Sequence, residues 1–264
     1  MMKNFYNLLF QVIVCFYAIP YCVAGDSAYV AWSVPEGSDI NIFYSVLSDA
    51  RWSSPVQITQ GGTNVTPAIT VDGDGIVWIV WVDFVDESRF LKYARIRGND
   101  IVQGRVSELP AERSYSPSII VDRSNKPWIA WASYSGMDED IFFSTWDGES
   151  WEAPKQVNPD NNVPDVTPTI GLGLNGRSWI SWLSFNGEGY DTYTVNWSNM
   201  RWSSVKKIKE ENNIKQKIRN LKARIPQFPA QAKKRLMGAV FISNKEEIQS
   251  ISDQQITLPA LESK

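Results

Sequence analysis

Histidine does not occur anywhere in the 264 residues. Its absence removes the Ser-His-Asp triad, the Cys-His nucleophile and every histidine-ligated metal centre in one step. Cysteine is nearly as scarce. The only two, Cys15 and Cys22, both lie near the N-terminus, so a chain processed beyond them holds neither thiol nor disulfide. A domain of this size buries enough apolar surface to do without cross-links. Strong charge of either sign is also lacking: the formal net charge is −3, which makes nucleic acid an unexpected partner. Long hydrophobic runs are missing apart from one, Phe5 to Ala18, which follows Lys3 and precedes Val23-Ala24-Gly25 and the polar Asp26-Ser27. Small residues at that point suit signal peptidase. The run therefore reads as a cleaved secretory leader over residues 1–25, cut near Ala24/Gly25, rather than as a membrane span. The expected location is secreted or periplasmic.

Tryptophan, by contrast, is abundant, and all twelve lie between Trp32 and Trp202. An aromatic, two residues and a tryptophan recur as Tyr29-Val-Ala-Trp32, Trp78-Ile-Val-Trp81, Trp128-Ile-Ala-Trp131 and Trp179-Ile-Ser-Trp182, the last tryptophans stepping by 49, 50 and 51 residues. A fixed period of that size marks an array of supersecondary units. Other columns keep the register: Thr66-Pro67, Ser116-Pro117 and Thr167-Pro168; Tyr44, Tyr93, Phe143 and Thr194; Trp52, Trp151 and Trp202. Within Ser116 to Val157, four short apolar runs are separated by polar turn sequences, which gives four strands and three turns per unit.

A four-stranded sheet with two apolar faces is stabilised by stacking copies around an axis. The expected fold is all-β, a β-propeller of four-stranded blades in a single domain over residues 26–264. Four blades are clear, at 28–59, 66–109, 116–157 and 167–208. A degenerate fifth covers 228–258, with Phe241 in the place of Trp182. Residues 206–224 are rich in lysine and arginine, and Ile214, Ile218, Leu221 and Ile225 recur at helical spacing, which predicts a short helical insertion over 209–225. Blade one has no room for an inner strand between the cleavage point and Ala28, so ring closure falls to the C-terminal strand or to association with another chain; a monomer is the simpler expectation. Trp32, Trp81, Trp131, Trp182, Trp52, Trp151 and Trp202 are expected to be packing residues of the repeat.

The turn between strands three and four reads Ser48-Asp49-Ala-Arg-Trp52, Ser144-Thr-Trp-Asp147-Gly148-Glu-Ser-Trp151 and Ser198-Asn199-Met-Arg-Trp202. These turns resemble eroded Asp boxes, the bacterial neuraminidase repeats of the sialidase superfamily, over Ala28 to Ile208. The resemblance implies structural turns in which aspartate and glycine satisfy a tight hairpin and tryptophan plugs between blades. It also implies, for an active sialidase, three arginines, a tyrosine with a glutamate, and an acid aspartate. Arg224-Ile225-Pro226 resembles the first-arginine motif but follows blade four instead of opening the chain, so no catalytic residue is assigned. Tryptophan-rich propeller lectins show similar repeats, which implies a binding module.

Every loop between strands two and three carries acid, including Glu36, Asp39, Asp86, Asp140, Glu188 and Asp191. On one rim of a propeller these side chains form a candidate face for sugar hydroxyls, a cationic ligand or a cation, calcium being the ion that carboxylates on loops suit; as solvated turn residues they need no ligand at all. No other cofactor is implied. Asn64-Val-Thr66 and Asn196-Trp-Ser198 fit the glycosylation sequon, which has meaning in a eukaryotic host. The expected function is a secreted, non-catalytic binding or scaffolding module for glycan or protein. The alternative is an exo-acting glycoside hydrolase of the sialidase type.

Overall fold

A computed structural model describes residues 21–208 except 25–26, 50, 108–114, 135, 137 and 174. All regular elements of the described residues are strands, in four consecutive antiparallel units. The first comprises β1 (Tyr21–Ala24), β2 (Ser27–Glu36), β3 (Asp39–Ser48), β4 (Arg51–Trp52) and β5 (Val56–Gln57). The second comprises β6 (Thr63–Val71), β7 (Val77–Val85), β8 (Ser88–Arg97) and β9 (Asp100–Arg105). The third comprises β10 (Tyr115–Val121), β11 (Pro127–Tyr134), β12 (Glu139–Thr145) and β13 (Lys155–Gln156). The fourth comprises β14 (Asp165–Leu172), β15 (Ser178–Phe185), β16 (Tyr190–Ser198), β17 (Arg201–Trp202) and β18 (Lys206–Lys207). In the first and fourth units the outer strand is broken into two short pieces that both pair with the third strand.

The first unit corrects one expectation. Its inner strand is present: Tyr21–Ala24 pairs antiparallel with β2 in the register Tyr21↔Val30 to Ala24↔Ser27. Cys22 packs against the core shared by the first two units. Its thiol is pushed above its ordinary value by burial, against hydrogen bonds to the Val71 backbone and the Thr70 side chain. Residues expected to leave with the leader thus complete a sheet in the intact chain. The helical insertion at 209–225 and the fifth unit at 228–258 lie outside the described residues.

The two tryptophans of the strand-two signature are three residues apart, an odd number, and successive side chains in a strand point to opposite faces. One therefore faces each neighbouring unit. Trp81 packs with Ala31, Ile42 and Tyr44 of the first unit; Trp78 packs with Ile119, Ile129, Trp131 and Trp151 of the third. Trp128 and Trp182 meet in the core between the third and fourth units. The outward tryptophans of the end units, Trp32 and Trp179, are only half-buried.

Outer corners of the internal joints are aromatic clusters. Trp78 stands 5.0 Å from Trp146 and 5.9 Å from Trp151, both edge-on, and Trp128 stands 5.1 Å from Trp197. Such edge-to-face pairs add to the area that the rings bury. The face of the fourth unit turned away from the third is more polar than its equivalents: Ser181 replaces Val80 and Ala130, and Thr192 replaces Leu91 and Ile141. Ser181 Oγ donates to Tyr193 O at 2.8 Å and Thr194 Oγ1 to Ile180 O at 3.0 Å, so these hydroxyls are satisfied within their own sheet.

The inner strands β6, β10 and β14 each contain a bulge at the Thr/Ser-Pro dipeptide. Proline cannot donate to the ladder and tolerates a bulge. The residue before it is left-handed, with φ of 50° at Thr66, 52° at Ser116 and 49° at Thr167.

Candidate functional site

The acidic residues of the strand-two-to-three region are dispersed, and several bond within their own surroundings. Glu36 accepts from Asn41 Nδ2 at 2.7 Å, Asp39 from the Gly62 amide at 3.2 Å, and Asp191 from Lys207 Nζ at 2.7 Å. The lysine, with the Asn186 amide beside it, holds the Asp191 carboxyl below its ordinary range. Asp86 and Glu188 are exposed in turns, Asp86 with φ of 54°. Asp140 is buried. Among the described residues no group of three or more acidic or cysteine side chains is arranged to hold a metal ion.

Asp140 belongs to a joint that repeats. Between the third and fourth units, the Ile141 amide donates to Asn158 Oδ1, and Asn158 Nδ2 donates to Asp140 Oδ1 at 2.6 Å and to Asp165 Oδ2 at 2.7 Å. Asp165 Oδ1 in turn accepts from Trp182 Nε1 at 2.8 Å. Burial pushes the Asp165 carboxyl above its ordinary value, against hydrogen bonds from Ser184, Trp182 and Asn161. Between the first and second units the same positions hold Asn41, Thr59, Asn64 and Trp81: Ile42 N donates to Thr59 Oγ1, Thr59 Oγ1 to Asn41 Oδ1, and Trp81 Nε1 to Asn64 Oδ1 at 2.8 Å. Asn64 is 3% exposed and spends its amide on Ile40 O and Gly61 O, so that sequon is closed, whereas Asn196 is exposed.

An open polar cleft lies at this first joint. In three units the last tryptophan of the strand-two signature has an aromatic residue directly across the ladder, as Trp32↔Phe43, Trp131↔Phe142 and Trp182↔Tyr193. Their rings stack with centroids 6.2 to 6.3 Å apart. In the second unit the residue across from Trp81 is Lys92. Two residues beyond Trp81, where the third and fourth units have Ser133 and Ser184, stands Asp83, which pairs with Lys92 at 2.6 Å. A cavity of about 320 Å³ opens there, lined by Gln57, Thr59, Asn64, Asp83, Lys92 and Gln103 over Trp81. Gln103 Nε2 donates to Ile58 O and Gln57 Nε2 to Thr59 O, which fixes both amides at the mouth. The cleft offers hydrogen-bond donors and acceptors and one carboxylate, already charge-paired.

Reading the sequence by its tryptophans missed this cleft, although a signal is present: Phe43, Lys92, Phe142 and Tyr193 form a column one residue before the one singled out. It missed a second device as well. Asp72 and Asp122, six residues before Trp78 and Trp128, close the turn between strands one and two with one oxygen and bind the indole with the other. Asp72 Oδ2 accepts from Trp78 Nε1 at 2.9 Å, and Asp122 Oδ2 from Trp128 Nε1 at 3.0 Å. At the turn between strands three and four, Asp147 accepts from the amides of Glu149 and Ser150 at 2.8 and 2.7 Å, which holds its carboxyl below the ordinary range. Asp49, Asn199 and Met200 are left-handed at the equivalent hairpins.

No known family model matches the chain, and no curated protein sequence does. Solved structures do. A Dyadobacter fermentans protein of unknown function superposes with a TM-score of 0.58 at 11% identity, over 74% of this chain and 70% of its own. The α-L-arabinofuranosidase Arb93A of Fusarium graminearum gives 0.56 at 11% identity, over 75% of this chain and 67% of its own. A thermostable family-43 glycoside hydrolase gives 0.52 at 10% identity, over 74% and 76%. Likeness at such identities establishes the fold and leaves function open. The four units are blades of a β-propeller, an all-β fold. No helix of the described residues is long and apolar enough to cross a membrane.

Proposed function

We propose that this protein is an exported β-propeller that binds carbohydrate without cleaving it. The observation that carries the reading is the cleft over Trp81, where neutral donors and acceptors converge around a single carboxylate held by Lys92. Glycoside hydrolysis needs two carboxyl groups flanking the bond. The carboxylates that do come together, Asp138, Asp140 and Asp165, are 7%, 1% and 0% exposed, and Asp140 and Asp165 share the Asn158 amide. A sugar has no access to that pair. Two neighbours of the same fold are a family-43 glycoside hydrolase and an α-L-arabinofuranosidase, which favours carbohydrate among the ligand classes. The Asp147 hairpin, with its carboxylate closing the turn, is consistent with a remote relation to sialidase-type Asp-box repeats. The apolar run before Ala24 supports export.

Glycan-array binding of the purified protein, run beside fluorogenic α-L-arabinofuranoside, β-D-xyloside and sialoside assays, tests this reading. Saturable binding with no turnover is expected. Turnover of any of these substrates, lost on substituting a carboxylate, would establish the hydrolase instead.

A further inference from the structure

The cleft of the first joint is a gap left by one substitution in a repeated pair. Three blades fill the space over the strand-two tryptophan with Phe43, Phe142 or Tyr193. The second blade fills it with an aliphatic stem ending in an ammonium group, and the ring-sized remainder is open. A repeat core is normally closed by such aromatics, so the opening costs this joint packing that its siblings keep. The Lys92–Asp83 pair adds little in return: Asp83 is buried, at 6% exposure, while the Lys92 side chain is 34% exposed, and a half-buried ion pair seldom outperforms the apolar residues that it replaces. Packing alone gives no reason for the exchange. Ligand recognition does.

We propose that this gap is the seat for one neutral sugar ring, a chain-terminal pentose or hexose residue, with Lys92, Asp83, Gln57 and Gln103 as its hydrogen-bonding residues; the proposal rests on the carbohydrate-binding reading above. The cavity volume of about 320 Å³ is at the small end of ligand pockets, which run from roughly 300 to 1,000 Å³, and so suits a single ring. Neutrality follows from the pairing. Lys92 and Asp83 cancel each other at 2.6 Å, and a charged group entering the cleft would have to break that pair and leave Asp83 buried without its cation. Hydroxyls make no such demand, since each donates and accepts at once. They can accept from Lys92 Nζ, donate to the Asp83 carboxylate and donate to the side-chain oxygens of Gln57 and Gln103, whose nitrogens are engaged by Thr59 O and Ile58 O.

The repeat itself supplies the test. The double variant Asp83→Ser/Lys92→Phe installs the residues that the third blade carries at these positions, fills the gap and removes the ion pair together. Its melting temperature should equal or exceed that of the parent, while binding to the glycans that the parent selects on the array falls at least tenfold. Gln103→Ala, on an exposed outer-strand residue, should leave melting unchanged and weaken binding severalfold. Saturation-transfer NMR with methyl α-L-arabinofuranoside, methyl β-D-xyloside, methyl β-D-galactoside and D-glucuronate should show contact for at least one neutral glycoside and none for glucuronate. Full array binding by the folded double variant would overturn this seat and leave carbohydrate binding standing elsewhere. Glucuronate contact as strong as that of the neutral sugars would overturn its neutrality. No array binding by the parent would overturn both readings.

Discussion

Trp128 and Trp131 stand on one strand, three residues apart, and belong to different cores: Trp131 is held in the joint with the second blade, and Trp128 in the joint with the fourth. Each should therefore matter to a different interface. Trp131→Ala leaves a cavity at a fully enclosed position and should cost about 3–5 kcal/mol. Trp32→Ala, at a half-buried position on an end blade, should cost distinctly less. Urea unfolding of both variants measures the difference. Equal losses would mean that the outward face of the first blade is as enclosed as the internal joints.

Thr66 combines a left-handed backbone with a buried hydroxyl that lacks a partner. A β-branched residue at φ of 50°, ahead of a proline, is under strain. Glycine adopts that conformation without a Cβ penalty, so Thr66→Gly should raise stability by about 1 kcal/mol, read as an increased urea midpoint with an unchanged slope. A loss would show that the threonine methyl contributes more packing than the backbone relief returns.

Glu152 bonds to Lys126 Nζ and Thr145 Oγ1, both at 2.7 Å, and these partners, Lys126 first, lower its carboxyl from the ordinary 4.5 to about 2. A carboxyl depressed by folding stabilises the native state above its unfolded value and loses that contribution as pH falls through its folded value. The third blade should thus lose stability progressively between pH 4.5 and about 2. Glu152→Gln should flatten that part of the acid limb while lowering stability near neutrality. A variant with the parent's acid profile would show that the pair is screened away in solution.

Removing residues 1–24 takes β1 from the edge of β2 and uncovers the side of the first core where Cys22 sits. The shortened protein should melt at a lower temperature than one retaining Tyr21–Ala24, and mass spectrometry of the exported protein would establish which N-terminus occurs. Identical melting of the two forms would mean that another segment takes the place beside β2.

The sequence made the blades legible because their cores are built from tryptophans at a constant step, and a heavily buried column such as Trp81, Trp131 and Trp182 leaves a periodic trace. It hid β1 because Tyr-Cys-Val-Ala reads equally well as the end of an apolar leader. It hid the Asp–indole bonds at Trp78 and Trp128 because a turn aspartate looks the same whether its second oxygen faces water or a ring nitrogen. The rim acids were legible as residues but not as a site: Asp140 turns inward to Asn158, and Asp39 and Asp191 bond to nearby amide or lysine nitrogens. The cleft was invisible for a different reason. It is defined by what one copy lacks, and a single lysine carries no pattern until its three aromatic counterparts are superposed on it.

The odd spacing of the paired tryptophans also governs how the array comes apart. Because the signature of the second or third blade contributes to both of its walls, local opening of either strips two of the joints found among the described residues, whereas opening of the first or fourth strips one of them. Amide exchange should accordingly be slowest along β7 and β11 and quicken toward both ends, with the second and third blades exchanging together as one cooperative block.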